Sequence, residues 1–118
     1  MRRKVIKRAE IWAADLRKSG IEISKIRPVL VVSANYINVA SAIAIVVPLS
    51  SRIPQILGLE RIFVGKDETN LVRDSVVLAL QIRALDKSRL MKKIGKISGN
   101  KMLEIEESLK LVLGMIEI

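Results

Sequence analysis

The chain is predicted to be a mainly β domain closed by a C-terminal α-helix, and three observations carry that prediction. Between Pro28 and Ser51 no residue is charged, yet Ser33, Asn35, Tyr36, Asn38 and Ser41 divide the run into two apolar, β-branched halves. Two buried strands around a polar turn have this pattern. Short apolar segments then recur with turn chemistry between them, which suggests a small barrel or sandwich in preference to a layered α/β sheet. Near the C-terminus the apolar positions change to helical spacing.

Taken in order, "AEIWAADL" (residues 9–16) is a short strand and "RKSGIEISKI" (17–26) a polar loop hinged on Gly20. The pair "PVLVVS" (28–33) and "AIAIVVPLS" (42–50) follows, with Pro28 biasing Arg27 toward extended backbone. "LERIFV" (59–64) reads as a strand, "GKDETN" (65–70) as a turn cluster, and "SVVLALQIRAL" (75–85) as one buried strand. "KKIGKIS" (92–98) is a short strand with its lysines outward. In the last segment Met102, Ile105, Leu109, Val112, Leu113 and Ile116 share one helical face, while Glu104, Glu107 and Lys110 face away. Ser98 or Asn100 caps its start, and Gly114 ends it or loosens its last turn. No repeat, low-complexity segment or linker divides the chain, so residues 1–118 are expected to form a single domain.

Composition narrows the chemistry. The 118 residues include no cysteine and no histidine, which removes thiolate nucleophiles, Cys- or His-bound metals and the usual acid–base group near neutral pH. No paired-carboxylate spacing suggests a magnesium site, so neither metal nor cofactor is expected. Lys and Arg total 21 against 12 acids, a net charge of +9, which favours a polyanionic partner. Two segments are basic without any acid: residues 1–8, and 87–101, which carries Lys87, Arg89, Lys92, Lys93, Lys96 and Lys101. Trp12, Tyr36 and Phe63 are the only aromatics, too few for a stacking platform. Trp12, Met102 and Leu109 are expected in the core or at a dimer contact. The polar interruptions of the uncharged run argue against a membrane span, and Glu10 and Asp15 precede any long apolar stretch, against a signal peptide; a cytoplasmic protein is expected.

Arg27 stands at the entry of a strand bound for the core. Its guanidinium offers five donors in a planar fork and keeps its charge, which suits a phosphate better than an apolar interior. Ser50, at the end of the next uncharged strand, can bring a hydroxyl to the same phosphate if the two strands pair; Ser51 can do so instead. Gln81 and Arg83 are two residues apart and would share one strand face.

The segments "RPVLVVS" (27–33), "VVPLSS" (46–51), "RDSVVLALQIRALDKSRL" (73–90) and "EESLKLVLG" (106–114) resemble, in order and spacing, the MazF/PemK (Kid) family of toxin ribonucleases. The resemblance implies an SH3-like small barrel of the MazF/Kid/CcdB type, a homodimer, and the toxin half of a type II toxin–antitoxin system. It implies metal-independent cleavage of single-stranded RNA at a short sequence, leaving 2′,3′-cyclic phosphate and 5′-hydroxyl ends. The family's catalytic arginine falls on Arg27, its catalytic threonine on Ser50, and its loop glutamate, here the candidate general base, on Glu22. Lys25, Ser51, Gln81 and Arg83 are the expected RNA contacts. A cognate acidic antitoxin segment would fold into the RNA groove. Ile23 and Leu80 stand where the family commonly has glutamine and an acid, and Ala9–Glu10 replaces a usual Gly-Asp, a difference expected to be structural. Two other readings stay open: a nuclease-inactive nucleic-acid binder, and a gyrase poison like the fold relative CcdB, whose Trp-Gly-Ile end is absent from "GMIEI" here.

Overall fold

The computed structural model describes residues 4–16 and 26–117. Among these residues seven strands form one antiparallel sheet: β1 (Glu10–Asp15), β2 (Ile26–Val31), β3 (Ile43–Ser50), β4 (Arg61–Val64), β5 (Ser75–Leu78), β6 (Arg83–Asp86) and β7 (Leu90–Lys96). Helices are α1 (Asn35–Ala40), α2 (Lys66–Thr69) and α3 (Gly99–Val112). The strand path runs β4-β5-β3-β2-β1-β7, with β6 on β3. The path is not a closed ladder of strands. Instead α2, which follows β4, docks on β7: the Asn70 side-chain amide donates to the Ile94 carbonyl at 2.8 Å. A Cβ on Gly95 would stand 2.0 Å from the Thr69 carbonyl oxygen, so only glycine allows this approach of turn and strand.

The central strands are uncharged because both of their faces are buried. Ile11, Leu30, Val47, Leu49 and Val77 pack with Met102, Ile105 and Leu109 of α3. On the opposite face Trp12, Ala14, Val29, Val31, Val46 and Leu85 form a second cluster. Burying a side chain such as Ile105, which is fully covered, contributes about 1.5–3 kcal/mol. Ser98 caps α3, its hydroxyl oxygen accepting from the Lys101 N–H at 3.2 Å.

Several expectations are corrected. The segment 75–85 is not one strand. A 3₁₀ turn at Ala79–Gln81 separates β5 from β6, and the two halves pair with different ends of β3. The polar turn between β2 and β3 contains α1, held by the buried Asn38, whose amide donates to the Ser33 carbonyl at 3.0 Å. The turn cluster 65–70 contains the single helical turn α2. The C-terminal helix stops at Val112, leaving Leu113 and Ile116 exposed, and Gly114 takes φ 73° just beyond.

Residues 9 and 10 have a structural role. Ala9 is held at φ 73°, with its N–H donating to Val31 and its carbonyl accepting from Ile97, both at 2.8 Å. The buried Glu10 carboxylate receives the Lys7 N–H at 2.8 Å, the Trp12 indole N–H at 3.1 Å and the Lys93 ammonium at 2.9 Å. Burial pushes its pKa up, but the bonds from Lys93, Lys7 and Trp12 outweigh this and hold it below the ordinary carboxylate value.

Candidate nucleic-acid interface

The site begins with the register of two strands. Val29 pairs with Pro48, Leu30 with Val47 and Val31 with Val46. Continued toward the open end, that register sets Arg27 across from Ser50 on one face, since directly opposed residues of an antiparallel pair point the same way. On its other side Arg27 pairs with the small, buried Ala14 of β1. Its guanidinium is exposed and makes no ion pair among the described residues. The hydroxyl oxygen of Ser50 accepts the Arg52 N–H at 3.1 Å. This turn fixes the oxygen and leaves the hydroxyl proton free to donate to a ligand.

Around these residues lies a cleft of about 800 Å³. It gathers Arg27, Ser50, Ser51 and Gln81 from the expected set. Arg83 lies elsewhere: it opens β6 opposite Val46, four residues along β3 from Ser50, roughly 13 Å at a strand's rise. The 3₁₀ turn ending at Gln81 is the reason, because it breaks the alternation that would have put Gln81 and Arg83 on one face. Glu22, Ile23 and Lys25 lie outside the described residues.

Three further arginines, Arg52, Arg61 and Arg73, line the cleft, and among the described residues no carboxylate does. Arg61 shares its charge with Glu60, 3.0 Å away. The sequence reading passed over all three because none belongs to a dense basic tract. The signal available was residue type: arginine, with its fork of donors, against the lysines of the dense tracts.

Several cations of those tracts serve the fold. Lys4 donates to the carbonyls of Lys87 and Leu90, Lys87 to that of Asn38 at 2.6 Å, and Lys101 pairs with Glu104 at 3.1 Å. None of their described cations lines the cleft.

Fold and cleft together define a small, half-open β barrel with an arginine-walled groove at the end of its central strands. A family model described as PemK-like, MazF-like toxin of type II toxin–antitoxin system matches residues 7–113. The chain belongs to that family. Among solved structures it is similar to an endoribonuclease in complex with its cognate antitoxin from a mycobacterial species, at 25% identity and TM-score 0.79 over 96% of this chain and 99% of that one. A mycobacterial endoribonuclease matches at 24% and 0.77, over 94% and 93%. A MazE–MazF complex from Deinococcus radiodurans matches at 21% and 0.80, over 96% and 100%.

Proposed function

We propose that this toxin, an endoribonuclease, cuts single-stranded RNA without a metal ion, with Arg27 at the centre of the reaction. The observation that carries this is that Arg27 and Ser50, from the paired strands β2 and β3, line one cleft with three more arginines and, among the described residues, no carboxylate. RNA supplies its own nucleophile. The 2′-oxygen attacks the adjacent phosphorus, its proton leaves, the P–O5′ bond breaks, and the 5′-oxygen takes up a proton. The products are a 2′,3′-cyclic phosphate and a 5′-hydroxyl end.

Arg27 binds the nonbridging oxygens and stabilises the charge that grows on the phosphorane. The Ser50 hydroxyl donates to the same phosphate, and its bond from Arg52 makes it the better oriented of the two serines. Ser51 and Gln81 contact the strand beside it. Lys25 is assigned to the same surface and Glu22 to proton removal, on the family resemblance alone. Arg83 would contact RNA only beyond the cleft.

The toxin's partner is a cognate antitoxin, and an acidic segment of it is the fitting occupant of an arginine-lined groove. The proposed assembly is a homodimer in the cytoplasm. Val5 and Val39, 65% and 80% exposed on one shallow cleft away from the arginines, favour such an interface. No helix among the described residues is long and apolar enough to cross a membrane.

The test is digestion of a long single-stranded RNA by purified protein in EDTA, beside Arg27→Ala, with the new ends identified. Cuts at a recurring short motif with 5′-hydroxyl ends, abolished in the variant, are expected. Intact RNA with folded wild-type protein would overturn the reading.

A further inference from the structure

Part of the lining of the Arg27 cleft comes from a turn, residues 71–74, whose tip has no explanation in the fold. Val72 is 89% exposed and packs into neither core cluster. Arg73 beside it is exposed and has no ion pair among the described residues. Both line the cleft.

A lone surface valine means little by itself. Here, however, the backbone that presents it is tied down on every side. The Leu71 N–H donates to the Thr69 hydroxyl at 3.3 Å, the Ser75 hydroxyl to the Arg73 carbonyl at 3.1 Å, and the Lys66 N–H to Asp74 at 2.9 Å. Asn70, just before the turn, holds a left-handed φ of 65° and bonds β7 through its side chain. A tip fixed in this way loses little conformational entropy when a ligand docks on it.

We propose that Val72 and Arg73 form a nucleotide subsite for the residue flanking the scissile phosphate: Arg73 grips that nucleotide's phosphate and Val72 covers the face of its base. The proposal rests on the ribonuclease reading above and adds to it a pair of positioning and specificity residues. A nucleotide carries an anion and a flat, weakly polar face side by side, and the tip offers a cation and an apolar side chain side by side. No aromatic residue lines the cleft, so a base there rests on aliphatic carbon or on a guanidinium plane. Of the described aliphatic residues lining the cleft, Val72 is the most exposed.

The experiment compares wild type, Arg73→Gln, Val72→Ser and, as a control for net charge, Lys110→Gln on the outer side of α3. Binding is measured to a short 2′-O-methyl RNA, which cannot be cut, across a range of salt; cleavage kinetics and cut-site sequences are measured on ordinary RNA. Removing one phosphate-gripping cation from a single-strand complex should flatten the log–log salt slope by about 0.7 in Arg73→Gln and leave it unchanged in Lys110→Gln. KM should rise roughly tenfold in Arg73→Gln with kcat within about twofold, as when uniform binding is removed. Val72→Ser should keep the wild-type slope and relax the base preference at one position beside the cut. An unchanged slope in Arg73→Gln, or equal slopes in Arg73→Gln and Lys110→Gln, overturns the subsite, as does an unaltered cut-site pattern in Val72→Ser. Wild type that binds but does not cut sinks the ribonuclease reading instead, and the slopes still decide Arg73.

Discussion

The Arg52 N–H donates to the hydroxyl oxygen of Ser50 at 3.1 Å, and that bond separates two adjacent serines by geometry. Ser51, next along the chain, has no bond of this kind among the described residues. Ser50→Ala is expected to lower kcat about a hundredfold, the loss typical of one aimed donor to a developing oxyanion, while Ser51→Ala stays within about threefold. Ser50→Thr keeps the hydroxyl and should retain most activity. Single-turnover cleavage of one RNA substrate checks the series; equal losses at the two serines would remove Ser50 from the reaction.

Arg27 supplies both charge and a planar fork. Arg27→Ala is expected to cost about a thousandfold or more in kcat with no fall in melting temperature, because its side chain is exposed and unpaired among the described residues. Arg27→Lys restores the charge but not the two parallel bonds, so it should recover less than roughly a tenth of wild-type activity. Full activity in the lysine variant would show that charge alone suffices.

Glu10 makes acid stability depend on one carboxylate. Its folded-state pKa lies below the ordinary value, chiefly against the burial that would raise it, through bonds from Lys93, Lys7 and Trp12. The unfolded chain therefore binds the proton more readily in the window between the two values. Glu10's contribution is present above the unfolded pKa and is lost as pH falls through the folded one. Glu10→Ala leaves the Trp12 and Lys7 N–H groups without their acceptor and should cost about 2–3 kcal/mol near neutral pH, less in acid. Urea titrations of both proteins across acidic pH would show the gap closing; a constant gap would deny the carboxylate this role.

Ala9 holds a left-handed backbone that disfavours any Cβ, at a cost of roughly 1–2 kcal/mol. Ala9→Gly relieves it and loses part of the gain to the freer unfolded chain. A net rise in stability of about 0.5–1 kcal/mol is expected by thermal melting, with cleavage unaffected.

Gly95→Ala tests the seam between α2 and β7. The new Cβ would meet backbone, the Thr69 carbonyl oxygen at 2.0 Å, which cannot swing aside as a side chain can. A loss of about 1–3 kcal/mol is expected, together with weaker RNA binding, since the Val72–Arg73 turn follows directly from that seam. Wild-type stability would mean that the turn can lift off β7 freely.

Local information in the sequence was enough for much of the fold. The uncharged halves of 28–51 are strands buried on both faces, the change of period after Ser98 is a helix, and Ser98 caps it. The same information failed at 75–85. There the apolar residues run on through Leu80, Ile82 and Leu85, so nothing in the sequence marks the turn at Ala79–Gln81, although Leu80 and Gln81 are exposed in the fold. The short helices α1 and α2 were hidden because, at six and four residues, they are too short to show a helical period, and Asn35, Asn38 and the polar run Lys66–Thr69 also suit loops.

Arg27 and Ser50 could be picked from the sequence because a fixed cation and a hydroxyl sit at the ends of neighbouring apolar strands. Their meeting needed only that β2 and β3 pair in the expected antiparallel sense. Arg52, Arg61 and Arg73 were different. They come from a loop, the first residue of β4 and the turn before β5, and what brings them together is the curl of the sheet and the docking of α2 on β7. The sequence by itself determined which segments bury their side chains and which residue types carry charge, because both follow from neighbours in the chain. Only the tertiary structure decided which charges share a cleft, because that depends on register and curvature between segments far apart. It left Arg83 outside and tied Lys87 and Lys93 of the lysine-rich tract into the fold.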